Sequence, residues 1–473
     1  MAAKYPHVTK AKRWAREIAS GKRIAGKYAK LAAQRFLDDL KREDLKFDPE
    51  AASKPCRFAE KFSHVKGKWA RNAEPIHLEA WECFVLVAAF GFFNLDGTRR
   101  FTEIYLRVGR KNGKSIIAAV IGLFLFVADD EFGAEVYSGA TSEKQAWEVF
   151  RPARLMAMRH RAFANHFGVE INAKNMNRPE DDSRFELLIG NPGDGASPSG
   201  VIIDEFHEHK DWNLYETMDT GMAARENPMK VIITTAGTNL ASPCFEKDDD
   251  CRKILEGTIK DDSIFAIIFS ADDDDDWTSV AAMKKANPNL GVSVSRAYLN
   301  RQLAKAKRSP AAQAAYRTKN LDQWVSSGQS FLNSLEWAKC GNSKLTLDDM
   351  VGKSCIFGVD LSSRIDVTAL VRLFFEVQDD VLRYWSFPRF WLPENRLEDD
   401  KTKQYQKWHE MGALDLHDED EIDFAVLTKD LRAEADRFSP REIAYDPWRA
   451  SGIEQTLTNE GFVMVKIPQT PAF

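Results

Sequence analysis

"RVGRKNGKSIIAAV", Arg107–Val120, carries Gly113-Lys114-Ser115 with only three residues back to the preceding glycine, Gly109. A phosphate-binding loop of the usual spacing reads G-x-x-x-x-G-K-[ST], and Val108 stands where its first glycine belongs. The surroundings favour a shortened loop over a chance tripeptide. "IYLRV" (104–108) reads as a buried strand and "SIIAAVIGLFLFV" (115–127) as an apolar helix. A strand, a tight turn and a helix start aim backbone N–H groups and the helix dipole at an anion. In that frame Gly109, Arg110, Lys111, Asn112 and Gly113 form the loop, Lys114 reaches the β- and γ-phosphates, and the Ser115 hydroxyl takes Mg²⁺. Arg110 suits charge developing on a transferred phosphoryl group, although a solvated surface arginine reads the same way.

A second half of the site lies 90 residues beyond Lys114, where "VIIDE" ends an apolar run with Asp204 and Glu205. Asp204 is placed to hold the Mg²⁺ and Glu205 to orient and deprotonate an attacking water. Acids also end buried strands simply because the strand meets solvent, but the pairing with "NGKS" and a complete strand–helix unit between them favours the nucleotide reading. "VIITTAGTN" supplies Thr234, Thr235, Ala236 and Gly237 at the next strand end, where the hydroxyls could sense hydrolysis. The fold expected is α/β: a P-loop ATPase whose parallel sheet carries an additional strand, its strands buried on both faces.

The 473-residue chain is long enough for two or three domains, and its net charge of −5 names no partner. Charge is uneven, however: Met1–Phe36 holds ten Lys or Arg against one acid, Glu17. Such a basic helical arm, expected over 1–75, suits a polyanion such as nucleic acid or is a solvated helix. The six cysteines form no C-x-x-C pair, which argues against zinc and for a reducing compartment. No signal peptide is evident and no apolar run spans a bilayer, so no membrane is expected. A polar helical lid is read over about 242–330, closing an ATPase of 76–335. The run Asp272–Asp276 within it reads as a solvated loop rather than a metal site.

A second α/β pattern opens at "CIFGVDLSSRIDVTALVRLFFE" (355–376), two strands joined by a turn, and continues to "REIAYDPWRASGIEQTL". Asp360 and Asp446 each end an apolar strand. Carboxylates brought together from separate strand ends suit two Mg²⁺ or Mn²⁺ ions in phosphodiester cleavage. The order predicts an RNase H-like nuclease over 350–473. A third carboxylate is needed; Asp366 is available in the turn, where it also reads as a turn-capping residue, and Asp423 reads as a helix or strand boundary.

Together "VGRKNGKS", "VIIDEFHEHKD", "ITTAGT", "KKANPNLG", "FGVDLSSRIDVTAL" and "AYDPW" resemble the large terminase subunit of tailed double-stranded DNA bacteriophages, from about residue 58 to the C-terminus. In that family a shortened, basic phosphate loop is the normal form. The resemblance implies ATP-driven movement of double-stranded DNA into a procapsid by a homo-oligomeric ring, and endonucleolytic cutting of concatemers. It implies a portal protein and a small terminase subunit as partners, and the host cytoplasm as location. It makes Lys114, Ser115 and Asp204 ligands of ATP and Mg²⁺, Glu205 the catalytic glutamate, Thr234–Gly237 the coupling motif, and Asp360 and Asp446 nuclease metal ligands. Two departures stand out. Trp81 is followed by Glu82 where the family often has an adenine-contacting glutamine, and a carboxylate cannot donate to a ring nitrogen. The family's further nuclease aspartate comes from a more C-terminal segment than "PQTPAF", so a nuclease incomplete at its C-terminus is expected. The rival readings are another P-loop DNA translocase or helicase, whose further motifs are missing here, and a non-catalytic DNA-binding capsid-assembly protein.

Overall fold

The computed structural model describes residues 4–189, 195–325, 337, 339–342, 344–362, 366–399, 404–417, 421–447 and 451–468. The chain divides into two compact units, Met1–Trp337 and Ala338–Phe473. The linker expected between 335 and 350 lies partly outside the described residues.

In the first unit a short ribbon pairs β1 (Leu45–Phe47) with β2 (Phe92–Asn94). The main sheet is built from β3 (Glu103–Val108), β4 (Glu135–Ala140), β5 (Glu170–Ile171), β6 (Asn175–Arg178), β7 (Ser183–Ile189), β8 (Gly200–Asp204), β9 (Met229–Thr234) and β10 (Ile264–Phe269). Their order is β10-β3-β9-β8-β4-β7-β6-β5. Strands β10 through β7 are all parallel, and β6 and β5 add antiparallel. Strand β9 therefore lies between the strand that opens the phosphate loop and the strand that ends in Asp204, which is the additional strand expected. Every residue of β3, β8, β9 and β10 is buried, as continuous apolar runs covered by helices on both faces require.

The helix Lys114–Val127 seats itself tightly on this sheet because Gly122 has no side chain: a Cβ there would stand 2.7 Å from Ile202 Cδ1 and 2.8 Å from Phe185. The basic N-terminal residues form two amphipathic helices, Pro6–Ala19 and Lys27–Asp39, rather than a detached arm. Val8, Trp14, Ile18 and Phe36 join the core of the unit, and the Trp14 ring lies 4.6 Å from Phe84. Part of the basic charge is already engaged, Arg23 with Glu17 at 2.9 Å and Arg35 with Asp262 at 3.5 Å.

Within the stretch expected as a helical lid, Ile264–Phe269 is instead strand β10, paired along all of β3. Its isolated apolar hexamer was hidden between polar segments. The helical subregion proper follows it and has a small core of its own around Trp277, Met283, Leu299, Tyr316 and Leu321. The run Asp272–Asp276 is a clasp rather than a freely solvated loop. Asp272 Oδ1 accepts from Lys27 N at 2.7 Å, and Lys285 Nζ bridges Asp272 at 2.8 Å and Asp275 at 2.6 Å.

The second unit is a sheet of β11 (Cys355–Asp360), β12 (Thr368–Gln378), β13 (Val381–Pro393), β14 (Asp415–His417), β15 (Ile443–Tyr445) and β16 (Met464–Lys466), ordered β14-β13-β12-β11-β15-β16. β11, β12 and β13 are an antiparallel meander, and β15 then β16 continue parallel from β11. An antiparallel run of three followed by parallel strands reached through the helix Phe424–Phe438 is the RNase H-like arrangement. That helix buries Leu427, Leu431 and Phe438 against Phe357, Phe374 and Ile443. Asp423 is its N-cap, accepting from Ala425 N at 2.7 Å. Among the described residues no helix is long and apolar enough to cross a membrane.

Candidate functional sites

The phosphate loop owes its shape to two residues in the left-handed region, Lys111 at φ 74° and Gly113 at φ 96°. Gly113 adopts that conformation without cost; Lys111 does not, and strain of this kind gathers where the surrounding contacts over-determine the backbone. Those contacts are visible. Arg110 N donates to Lys319 O at 3.1 Å, Ser293 Oγ donates to Lys111 O at 2.7 Å, and Asn112 Nδ2 donates to Gly109 O at 2.9 Å and to Asn287 Oδ1 at 3.0 Å. Asn289 completes the clamp, its N donating to Asn112 Oδ1 at 3.1 Å and its Nδ2 to Asn112 O at 2.8 Å. These bonds fix the backbone of the loop from Gly109 to Gly113.

A cleft of about 1240 Å³ opens over it, lined by Arg110, Lys114, Ser115, Asp204 and Glu205 among others. Lys114 Nζ lies 3.1 Å from Glu205 Oε1. Glu205 has φ 48°, a tight bend that brings it back over the strand end and lets its N–H donate to Asp204 Oδ1 at 2.8 Å. The two adjacent acids are driven apart electrostatically. Burial pushes Asp204 up to about 7, only partly countered by Lys114. Burial also works to raise Glu205, but the Lys114 charge beside it outweighs burial and leaves its pKa below the ordinary value. Such a split separates a carboxyl in need of a cation from one that stays ionised.

His207 joins this centre to the next strand. Its Nδ1 lies 3.2 Å from Glu205 Oε2 and 3.2 Å from Thr234 Oγ1, and its N–H donates to Thr234 Oγ1 at 3.1 Å. Burial pushes the imidazole down to about 4, so it is neutral at physiological pH. Thr234 and Thr235 are buried, Ala236 N donates to Asp322 Oδ1 at 2.8 Å, and Gly237 lies against Trp324.

Two residues expected at the nucleotide act differently. Trp81 is buried, edge-on to Phe269 at 5.2 Å, and donates from Nε1 to Asn289 Oδ1 at 2.7 Å. Its indole faces the core and steadies the loop through Asn289. Glu82 does line the cleft, and a Cβ on Gly113 would stand 3.4 Å from its Oε1. Its Oε2 accepts from Glu79 N at 2.7 Å as part of a capping box, and burial pushes its carboxyl up to about 7. In its neutral form this carboxyl can donate, which restores what a glutamine would offer.

In the second unit, β11 and β15 are parallel with Val359 opposite Tyr445, so Asp360 and Asp446 follow as the next residues of both strands. Asp446 N donates to Val359 O at 3.4 Å, holding the pair side by side at the sheet's C-terminal edge. Adjacent strands lie about 4.8 Å apart, close enough for both carboxylates to reach one ion. Asp366 behaves as a turn residue: its Oδ1 accepts from Val367 N at 2.8 Å. Among the described residues no group of three or more His, Cys, Asp or Glu side chains is arranged to hold a metal.

Comparisons with known proteins match both units. The model of the terminase large subunit ATPase domain covers residues 80–253, and that of the terminase large subunit endonuclease domain covers residues 258–472. The chain belongs to the terminase large subunits. It carries the two enzymes of DNA packaging and cutting, an ATPase and an endonuclease, on one polypeptide. Protein YmfN of Escherichia coli (strain K12) is 38% identical over 286 residues, 59% of this chain and 63% of its own length. The large terminase subunit of Enterobacteria phage HK97 is 28% identical over 403 residues, 83% of this chain and 76% of its own. The crystal structure of the HK97 bacteriophage large terminase superposes with a TM-score of 0.51 at 26% identity, covering 89% of this chain and 85% of that one.

Sequence reasoning missed three residues around the cleft, His207, Asn287 and Asn289, and one outside it that holds the Thr234–Gly237 segment, Asp322. The signal for the asparagines was present in "NPN", two amides flanking a proline that positions them without flexibility. His207 was readable only as the second residue after Glu205 on a turn, and Asp322 carried no local signal at all.

Proposed function

We propose that this terminase large subunit binds ATP in the cleft above Gly109–Ser115 and uses its hydrolysis to drive double-stranded DNA into a procapsid. Lys114 binds the β- and γ-phosphates, and Arg110, at the cleft mouth, offsets charge that develops on the transferred group. Ser115 and Asp204 would be the oxygen donors for Mg²⁺; a carboxyl whose pKa is raised first by burial and then by the neighbouring Glu205 charge fits a hard divalent cation, which would neutralise phosphate charge. Glu205, kept ionised by Lys114, accepts the proton of the attacking water. Thr234–Gly237 carries the change outward. What supports this reading above all is the 3.1 Å approach of Lys114 and Glu205, which joins the two halves of the site from residues 91 positions apart.

Asp360 and Asp446 are the ligands of a divalent ion in the nuclease, where the metal would activate water and stabilise the leaving oxygen. Two carboxylates fit one such ion; a pair of Mg²⁺ or Mn²⁺ ions requires a further ligand, for which Asp366 is the candidate. The working assembly is a ring of copies of this chain on a portal protein, fed by a small terminase subunit in the host cytoplasm. Grip on DNA is through backbone phosphates, so binding falls steeply with salt. The test is Glu205→Gln in the full chain. ATP binding should persist while hydrolysis drops by about a hundredfold or more, in line with loss of a general base. Hydrolysis at the parental rate would remove Glu205 from the mechanism.

A further inference from the structure

One cluster of buried charge lies outside the cleft yet joins β3, the helix Pro243–Glu256, the segment Thr234–Gly237 and the segment Leu321–Val325. Arg107, the penultimate residue of β3, is fully buried, with Nη1 2.8 Å from Asp248 Oδ2 and Nε 3.2 Å from Asp322 Oδ2. Asp248, on the helix Pro243–Glu256, also accepts from Tyr105 OH at 3.0 Å and Trp324 Nε1 at 3.0 Å, and pairs with Arg252 at 2.8 Å. Asp322 spends its other oxygen on Ala236 N at 2.8 Å, inside the coupling motif.

The segment Leu321–Val325 is thereby laced to the coupling motif along its length. Trp324 packs so closely on Gly237 that a Cβ there would stand 2.9 Å from Cζ3, and Val325 N donates to Gly237 O at 3.5 Å. At its other end Leu321 O accepts from Ala271 N at 3.0 Å, and Gln323 links to Asp272 O and to Arg317 at 2.9 Å each.

Two features mark Asp322 as a point of stored strain. Its φ of 55° lies in the left-handed region, a bend that its contacts hold in place. Its Oδ2 and Arg107 Nε are at ion-pair distance but not aligned for a hydrogen bond. Burial pushes the Asp322 carboxyl up to about 6 against the pull of Arg107. A small displacement of the coupling motif therefore alters both the pairing and the backbone bend.

We propose that Asp322, held between Arg107 and the Ala236 N–H, relays the state of the phosphate site from the coupling motif to Leu321–Val325. Asp322 is a positioning residue: it is fully buried and does not line the cleft. The relay rests on the ATPase reading above, and binding of nucleotide is measured separately so that the two stand or fall apart.

The experiment is hydrogen exchange on the full chain with and without saturating Mg²⁺ and a slowly hydrolysed ATP analogue, beside Asp322→Asn and Trp324→Phe. Asp322→Asn keeps an oxygen for Ala236 but removes the charge facing Arg107; Trp324→Phe keeps the ring on Gly237 but removes the bond to Asp248. In the parent, exchange at Ala236–Gly237 and at Gln323–Val325 should change together, by about tenfold. In Asp322→Asn the change should persist at the coupling motif and vanish at Gln323–Val325, with nucleotide affinity within about threefold of the parent. Trp324→Phe should blunt the same response and serves if Asp322→Asn does not fold. The relay is overturned if Gln323–Val325 responds equally in both variants, or fails to respond in a parent saturated with nucleotide. A parent that binds no nucleotide overturns the ATPase reading, and the relay with it.

Discussion

Glu82→Gln turns the one departure in the nucleotide motif into a measurement. The Glu82 carboxyl is raised from 4.5 to about 7, first by burial, with the bond from Glu79 N and the Asn289 contact opposing. A group whose folded pKa is raised contributes stability that is complete below its unfolded pKa. That contribution is lost as pH rises through the folded value. The window here is from about 4.5 to about 7. Fully converted, that displacement is about 3 kcal/mol, and water reaching the carboxyl through the cleft reduces it to about 2 kcal/mol. Glutamine stays neutral throughout and can still accept from Glu79 N. The variant should therefore match the parent near pH 5 and exceed it in stability by about 2 kcal/mol at pH 8.5. Urea unfolding of the full chain, following the transition of the first unit at half-unit pH intervals, measures the difference directly. ATP affinity should show the same pattern, because an ionised carboxylate beside Gly113 repels phosphate. Parallel curves for parent and variant across the whole range would mean that Glu82 is charged in the fold, and the argument from burial would fail.

Three more outcomes are expected. Asn289→Ala leaves the buried Trp81 N–H and Asn112 O without their partner and should destabilise the first unit by about 2 kcal/mol, with KM for ATP rising more than kcat falls; an unchanged KM would separate the clamp from the loop. Gly122→Val forces a branched side chain toward Ile202 and Phe185 at distances already below 3 Å for Cβ alone, and thermal unfolding should show a loss of about 1–3 kcal/mol. Asp360→Asn should abolish Mn²⁺-dependent nicking of supercoiled plasmid while ATP hydrolysis continues; cleavage that survives would place the nuclease metal elsewhere, and an equal loss in Asp366→Asn would make Asp366 the third ligand.

Most of the ATPase centre was legible because its chemistry is carried by short contiguous stretches. A glycine that must adopt positive φ, a lysine and a hydroxyl at the helix start, and acids where an apolar strand ends are neighbours in the chain before they are neighbours in space. The reading failed where a residue's meaning depends on what packs against it. Trp81 sits beside the site in sequence, but the bond to Asn289 turns its ring inward. Strand β10 was taken into a helical region because a six-residue apolar run has no period to separate strand from buried helix. The basic N-terminal helices read as an arm because their small apolar residues, Ala11, Ala15, Ala29 and Ala33, carry little hydrophobic signal yet let helices approach the core closely.

The sequence by itself determined that this chain has a phosphate loop, a strand-end acid pair, and a later pair of strand-end aspartates, since each is a local pattern with a local cause. Only the tertiary structure decided that Lys114 meets Glu205 and that Ile264–Phe269 pairs along β3 at the sheet edge. It alone set Asp360 beside Asp446 through the register of β11 on β15, and tied Asp322 to the coupling motif across 86 residues. Strand order and side-chain partnership follow from which buried surfaces fit together, and that fit is a property of the packed core rather than of any one segment.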